Sequence, residues 1–275
     1  MRISGHRVGI GPSIGFLVIL LAIWAAVAGP MLAPYGPNDI VGDVWGPASA
    51  QHWLGFDNLG RDMASRMLYA ARTTISLVIV TTCCTFVIGV IAGLAASVIG
   101  GWLDIVLLRV VDIIMAVPQL ILALIVLSVL GTSIPVLIGT IAILDSTRVF
   151  RLTRAVAMNI TVLDYVEVAR LRGEGLWWVM RREILPNSLP PLVAEFGMRF
   201  CFTLLFIAAL SFLGLGIQPP ATDWGSMVRE NALAINFGLA APLIPAAAIA
   251  VVTIGVNLVV DWFLSIHGRA HGEEL

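Results

Sequence analysis

The chain has 275 residues, of which 59% are hydrophobic and only 12% charged, with a net charge of −1. A soluble domain averages about 25% charged residues, so the composition points to an integral membrane protein, and no basic tract suits nucleic acid. Every one of the 16 lysine-plus-arginine positions is arginine; without lysine the chain can form neither the phosphate-binding loop of a P-loop ATPase nor a Schiff base.

A bilayer core about 30 Å thick takes about 20 apolar residues per helix. Six stretches meet that requirement, at residues 16–33, 73–98, 105–130, 134–150, 192–215 and 239–263. The first is long for a signal-peptide core and is followed by Pro30 and Pro34 without a small-x-small site, so it reads as a retained helix. Residues 34–72 are rich in Pro, Gly and Trp. Trp45 and Trp53, with Trp224 further on, suit the headgroup level, and 63–71 could form a helix lying along the interface. In the second stretch Cys83 and Cys84 read as small buried thiols, as does Cys201 in the fifth. No metal-ligand spacing is present. Gly89 and Gly93 form a G-x-x-x-G pair, read first as intrachain packing.

The third stretch contains Arg109 and Asp112, spaced i,i+3, and Pro118, which frees a backbone carbonyl and kinks the helix. That kink either lines a pathway or fits packing. Asp145 and Arg148 cut into the end of the fourth stretch; Glu195 and Arg199 in the fifth are spaced i,i+4. Each pair is read first as neutralising itself on one helix face. All four histidines, His6, His52, His267 and His271, lie outside the apolar stretches, which disfavours a proton relay or an intramembrane enzyme.

Between the fourth and fifth stretches lies an island of charge, about 158–187. Thr161 and Asp164 fit a capping box, predicting a helix over about 162–172 that Gly173 ends with a left-handed cap. A second helix is predicted over 176–184, stopping before Pro186. Leu163, Val166, Ala169 and Arg170 fall near one face of the first helix. An ordinary amphipathic surface loop reads equally well from spacing alone. Arginines crowd this region: Arg148, Arg151, Arg154, Arg170, Arg172, Arg181 and Arg182. With Arg2 and Arg7 before the first stretch, they place both termini, the tail 267–275 and the island in the cytoplasm after six crossings. Residues 33–72, with Arg61, Arg66 and Arg72 offset by Asp39, Asp43, Asp57 and Asp62, and residues 216–238 then face outward.

Glu167-Val168-Ala169, followed by Gly173 and by Ile184-Leu185-Pro186, resembles the EAA loop of ABC importer permeases. Val168 stands where that family has alanine, a mild change if the side chain faces its own protein. Gln51-His52-Trp53-Leu54-Gly55-Phe56-Asp57-Asn58-Leu59-Gly60-Arg61-Asp62, with Ser65-Arg66, is similar to a segment of the C-type permeases of dipeptide, oligopeptide and nickel importers; Phe56 replaces a common threonine. Ser211-Phe212-Leu213-Gly214-Leu215-Gly216 with Trp224-Gly225, and Asn257 with Asp261, resemble two further signatures of that branch.

The resemblance implies an all-α permease with the type I ABC importer fold, a single domain over 1–275, in a bacterial inner membrane. It implies no catalysis and no cofactor in this chain; ATP and Mg would sit on partner subunits. Those partners would be two cytosolic ATPases, a second permease in a heterodimer, an extracytoplasmic binding protein and membrane lipid. Coupling would fall to Leu163, Asp164, Glu167, Ala169, Arg170, Leu171, Gly173, Trp177, Arg181, Leu185 and Pro186. Glu167 would contact the ATPase or cap its own loop, and Gly173 would supply the turn. Leu163, Leu171, Trp177 and Leu185 would anchor the element. Arg181 and Arg182 read equally as contacts to lipid headgroups. Met115, Pro118, Arg199 and Ser211 are candidates for a translocation path. Di- or oligopeptides are the implied substrates, with nickel chelates, glutathione-type peptides and opines as alternatives. A self-sufficient carrier or channel, from a different class, calls for midplane charges or internal repeats.

Overall fold

The computed structural model describes residues 9–266 in full, the backbone of 267–272, and an antiparallel ladder pairing Arg2–Ile3 (β1) with His6–Arg7 (β2). The side chains of Arg2, Arg7, His267 and His271 therefore lie outside the described residues. Ten α-helices follow: α1 (Ile10–Leu32), α2 (Met63–Ile99), α3 (Gly101–Ala116), α4 (Gln119–Leu130), α5 (Ile134–Thr161), α6 (Asp164–Leu171), α7 (Leu176–Val179), α8 (Leu185–Phe212), α9 (Trp224–Glu230) and α10 (Leu243–Gly272). A π-helical turn, Met180–Ile184, joins α7 to α8, and a 3-10 turn, Ala232–Phe237, follows α9.

Among the described residues, α1, α2, Leu176–Phe212 and Leu243–Ile266 are each long and apolar enough to cross a bilayer. α3 and α4 make a fifth span if counted together, but they are bent by 89°. The break has a local cause: Pro118 has no N–H to continue the helix, and Val117 before it is extended at φ −97°, ψ 136°, the region preferred ahead of proline. The kink expected at Pro118 is thus a full break. α5 is 28 residues long, yet Asp145, Arg148, Arg151 and Arg154 remove it from a count based on apolarity. The six stretches become four or five on that criterion.

Two other expectations are corrected. Residues 63–71 form no separate interfacial helix, because α2 starts at Met63 and runs unbroken for 37 residues, about 56 Å at 1.5 Å per residue. The Asp62 carboxylate starts it, accepting from the Ser65 amide at 2.7 Å. Nor does the helix after Gly175 stop before Pro186. The Leu185 amide donates to the Met180 carbonyl, five residues back. Pro186 therefore enters where the backbone has already left the i→i−4 ladder, and α8 continues through it.

The chain divides into two compact units. The first comprises residues 1–79, 130–137 and 200–275. Its α1 and α10 meet through glycines: a Cβ on Gly15 would lie 2.5 Å from the Gly255 carbonyl. Arg72 ties α2 to α1 by donating to the carbonyls of Ala26 and Val27 at 3.1 and 2.9 Å.

The second unit comprises residues 80–129 and 138–199. Gly89 and Gly93 of α2 lie against α5, where a Cβ would meet Val149 and the Phe150 carbonyl at 2.6 and 2.9 Å; the G-x-x-x-G pair packs within the chain. Asp112 pairs with Arg151 of α5 at 2.5 Å, not with Arg109 as its spacing suggested, and Arg109 is exposed. Cys201 is buried, but Cys83 is exposed; an outward apolar side chain on a membrane helix meets lipid rather than water.

Candidate functional site

The charged island is a folded element of the second unit. Thr161 closes α5 and donates to the Met158 carbonyl at 2.9 Å, so the expected capping box is not formed. Leu163 is the N-cap of α6 and offers no side-chain cap. Asp164 and Glu167 lie in the first turn instead, where negative charge is favoured by the exposed amides. At the other end Gly173, at φ +81°, completes a Schellman motif. Its amide donates to Arg170 at 2.9 Å and the Glu174 amide to Ala169 at 3.3 Å, satisfying carbonyls that the helix end would orphan.

Val166, Ala169, Val179 and Ile184 are fully buried and share a core with Leu94 and Val98 of α2 and Ala157 and Ile160 of α5. These are the anchors. Of the four expected, only Leu185 packs against that core; Leu163, Leu171 and Trp177 point outward, Leu171 at 80% exposure. The α-helical period hid the pattern. Val179 and Ile184 are five apart, which brings them onto one face only across a π turn. Val168 is 50% exposed and does not face its own protein, whereas Ala169 does.

The outward surface carries Asp164, Tyr165, Glu167, Arg170, Leu171 and Arg172. Among the described residues the Glu167 carboxylate caps no amide of the loop. Desolvation and the nearby Glu183 carboxylate push the Tyr165 phenol above its ordinary range. An exposed mixed surface on a rigidly packed element is suited to docking rather than to chemistry.

In the first unit, the Q-H-W-L-G segment folds around a buried carboxylate. Asp57 accepts from Arg61 Nε at 2.6 Å and from the amides of Leu59 and Arg61 at 2.8 and 2.9 Å, and it pairs with Arg66. Glu230 at the end of α9 takes both guanidiniums, at 2.8 Å from Arg61 and 2.9 Å from Arg66. The Asn231 side-chain oxygen accepts from Trp45 Nε1 at 3.2 Å and the Asn58 amide at 3.0 Å. Residues 45–66 are thereby tied to 222–231. Glu230 and Asn231 escaped the sequence reading, because the aspartates of residues 33–72 already offset Arg61 and Arg66 in number. His52 Nδ1 meets Asp62 at 2.8 Å.

The S-F-L-G-L-G and W-G residues are packing devices of the same unit. A Cβ on Gly225 would lie 2.6 Å from the Ala208 carbonyl. The Trp224 amide donates to Thr74 Oγ1 at 3.1 Å and its indole to the Met67 carbonyl at 3.3 Å. Asp223 caps α9 in a capping box with Ser226. Burial pushes its carboxyl above the ordinary range, against hydrogen bonds from Ser226, Ser211 and Gly225 that hold it down. Asn257 and Asp261 are exposed on α10.

A cavity of about 200 Å³ opens at the α3/α4 break, lined in part by Met115, Pro118, Gln119, Thr147 and Arg148. Met115 and Pro118 are thus together. Arg199 does not line this cavity; it is buried between Glu195 at 2.8 Å and Asp145 at 3.2 Å. Arg148 reaches the same Asp145 oxygen at 3.6 Å. Both expected pairs therefore form, joined in one cluster. Ser211 is buried in the other unit, where its hydroxyl accepts from the Ile217 amide at 3.4 Å. No group of metal-ligating side chains occurs among the described residues.

The family described as binding-protein-dependent transport system inner membrane component matches residues 85–270. A glutathione transport system permease protein of Pectobacterium atrosepticum is 35% identical over 246 residues, covering 89% of this chain and 81% of that protein. A dipeptide transport system permease protein of Alkalihalophilus pseudofirmus is 31% identical over 250 residues, 90% of this chain and 82% of that one. A probable D,D-dipeptide transport system permease of Escherichia coli is 32% identical, covering 89% and 83%. A solved amino acid ABC transporter with histidines shares the fold at a TM-score of 0.52 and 21% identity, over 70% of this chain and 89% of that one.

Proposed function

Because the chain belongs to the binding-protein-dependent transport system inner membrane components, we propose that it is the C-type permease of a bacterial importer for di- or oligopeptides, glutathione-type peptides included. The names of its relatives support that substrate class over nickel chelates and opines. The chain is a multi-pass inner-membrane protein. In this reading α5 is a sixth crossing despite its charges, and both termini face the cytoplasm.

The observation that carries the coupling role is the construction of residues 163–185: four side chains fully buried in the core of their own unit, with a charged and apolar surface left outside. A rigid element of this kind transmits displacement without absorbing it. Two cytosolic ATPases hold ATP and Mg and dock on Asp164, Glu167, Arg170 and Leu171. Gly173, Pro186 and Leu185 hold the element's shape, and Ala169 seats it. A second permease completes the pathway, to which the Met115–Pro118 cavity belongs. The binding protein meets the braced segments 34–72 and 216–238.

The test is co-purification from native membranes followed by transport in proteoliposomes. Tagged chain brings down a second permease and an ATPase. Replacing Glu167 with Ala and Gly173 with Val together abolishes uptake while the permease stays folded. Recovery of the chain without any ATPase, or full uptake in the double variant, defeats the coupling role.

A further inference from the structure

A second recess, about 240 Å³ in volume, lies in the second unit between the end of α2 and the start of α8. Leu94 and Ala95 contribute one wall, Trp177, Met180 and Leu185 another, and Arg181 is its charged residue. Otherwise the lining is apolar. The α2 wall belongs to a helix apolar enough to span the bilayer, and residues 94–95 fall in its last turns. The opposite wall comes from the charged island. The boundary between hydrocarbon and headgroups therefore crosses the recess.

Three features specify an occupant. The apolar lining suits a hydrocarbon tail. Arg181 is exposed, as is Arg182 beside it, and neither makes a hydrogen bond or ion pair with the described residues; an acidic headgroup complements them. Trp177 is 66% exposed, and an indole is stable at the interface. The α2 wall is part of an apolar membrane helix, a lining that matches a hydrocarbon tail better than the polar surface of a soluble ATPase. We propose that this recess holds an acyl chain of an anionic phospholipid, with the lipid phosphate on Arg181. The inference goes beyond the coupling role and rests on the reading above only in that the chain is embedded in a membrane.

The assembled transporter is reconstituted with equal phosphatidylglycerol and phosphatidylcholine, extracted gently, and its retained lipid identified by native mass spectrometry. Wild type retains phosphatidylglycerol preferentially. Arg181→Gln lowers that preference by up to about fivefold, the factor one exposed ion pair supplies. Ala95→Leu fills the recess and lowers total retained lipid. An unchanged preference in Arg181→Gln, or unchanged retention in Ala95→Leu, overturns the proposal. So does cross-linking of an Ala95→Cys variant to the second permease in place of lipid. Because the readout is lipid and not ATPase, its failure is distinguishable from failure of the coupling role.

Discussion

Gly173 and Gly60 both hold a left-handed backbone, at φ +81° and +75°, but for different reasons. Around Gly173 nothing lies within 4 Å of a would-be Cβ, whereas at Gly60 that atom would overlap the Gly42 carbonyl. The first glycine is required by its dihedral alone, the second by dihedral and space together. Gly173→Ala should therefore cost only the left-handed penalty, about 1–2 kcal/mol. Asn, which tolerates that region, should cost less. Hydrogen exchange at the amides of residues 173 and 174 reads this directly. The Ala variant should exchange roughly 5- to 30-fold faster, with Asn between it and wild type. Equal protection in all three would mean that the Schellman motif does not hold the end of α6. Gly173 was legible because its role is local. Glu230 was not: its partners Arg61 and Arg66 are 169 and 164 residues away in sequence, and no spacing rule connects them.

At the scale of elements, the segment carrying Asp57 is held by charge at least as much as by apolar burial. The Asp57 carboxylate is fully buried and pairs with two guanidiniums at once, with Glu230 supplying the second negative charge. Removing one member of such a set strands the others, at about 3–5 kcal/mol. Asp57→Ala should release residues 33–62 from 222–231 and make that segment the first site of limited proteolysis, while α6 stays protected. Resistance equal to wild type would show that apolar contacts suffice there. The island was harder to read than this segment because its period changes. A regular helix over 176–184 would separate Val179 from Ile184, and Pro186 looked like a stop. The π turn solves both: it aligns the two buried side chains and lets the proline enter a helix that continues to Phe212.

For the whole molecule, apolar length alone leaves the number of crossings at four or five, and a sixth rests on α5. α5 carries its charges toward its C-terminal half, where Arg151 and Arg154 pair with Asp112 and Asp104 of α3. Those pairs neutralise charge that would otherwise be costly at membrane depth, so α5 can cross where its composition argues against it. The broken α3/α4 pair decides the topology. With α5 crossing, Leu130 at the end of α4 and Val168 lie on opposite sides either way: if α3/α4 spans, Leu130 is outside and Val168 inside, and if the 89° bend makes it re-entrant, Leu130 stays inside and Val168 goes outside. Both residues are exposed, as is Trp53, so single cysteines at the three positions, in a background with Cys83, Cys84 and Cys201 replaced by serine, can report sidedness. A membrane-impermeant maleimide added to intact cells should label Trp53→Cys and Leu130→Cys, and should reach Val168→Cys only after the membrane is opened. Labelling of Trp53→Cys and Val168→Cys but not of Leu130→Cys would make α3/α4 re-entrant and remove a crossing. Labelling of Val168→Cys in intact cells would put the island outside, where no ATPase could use it.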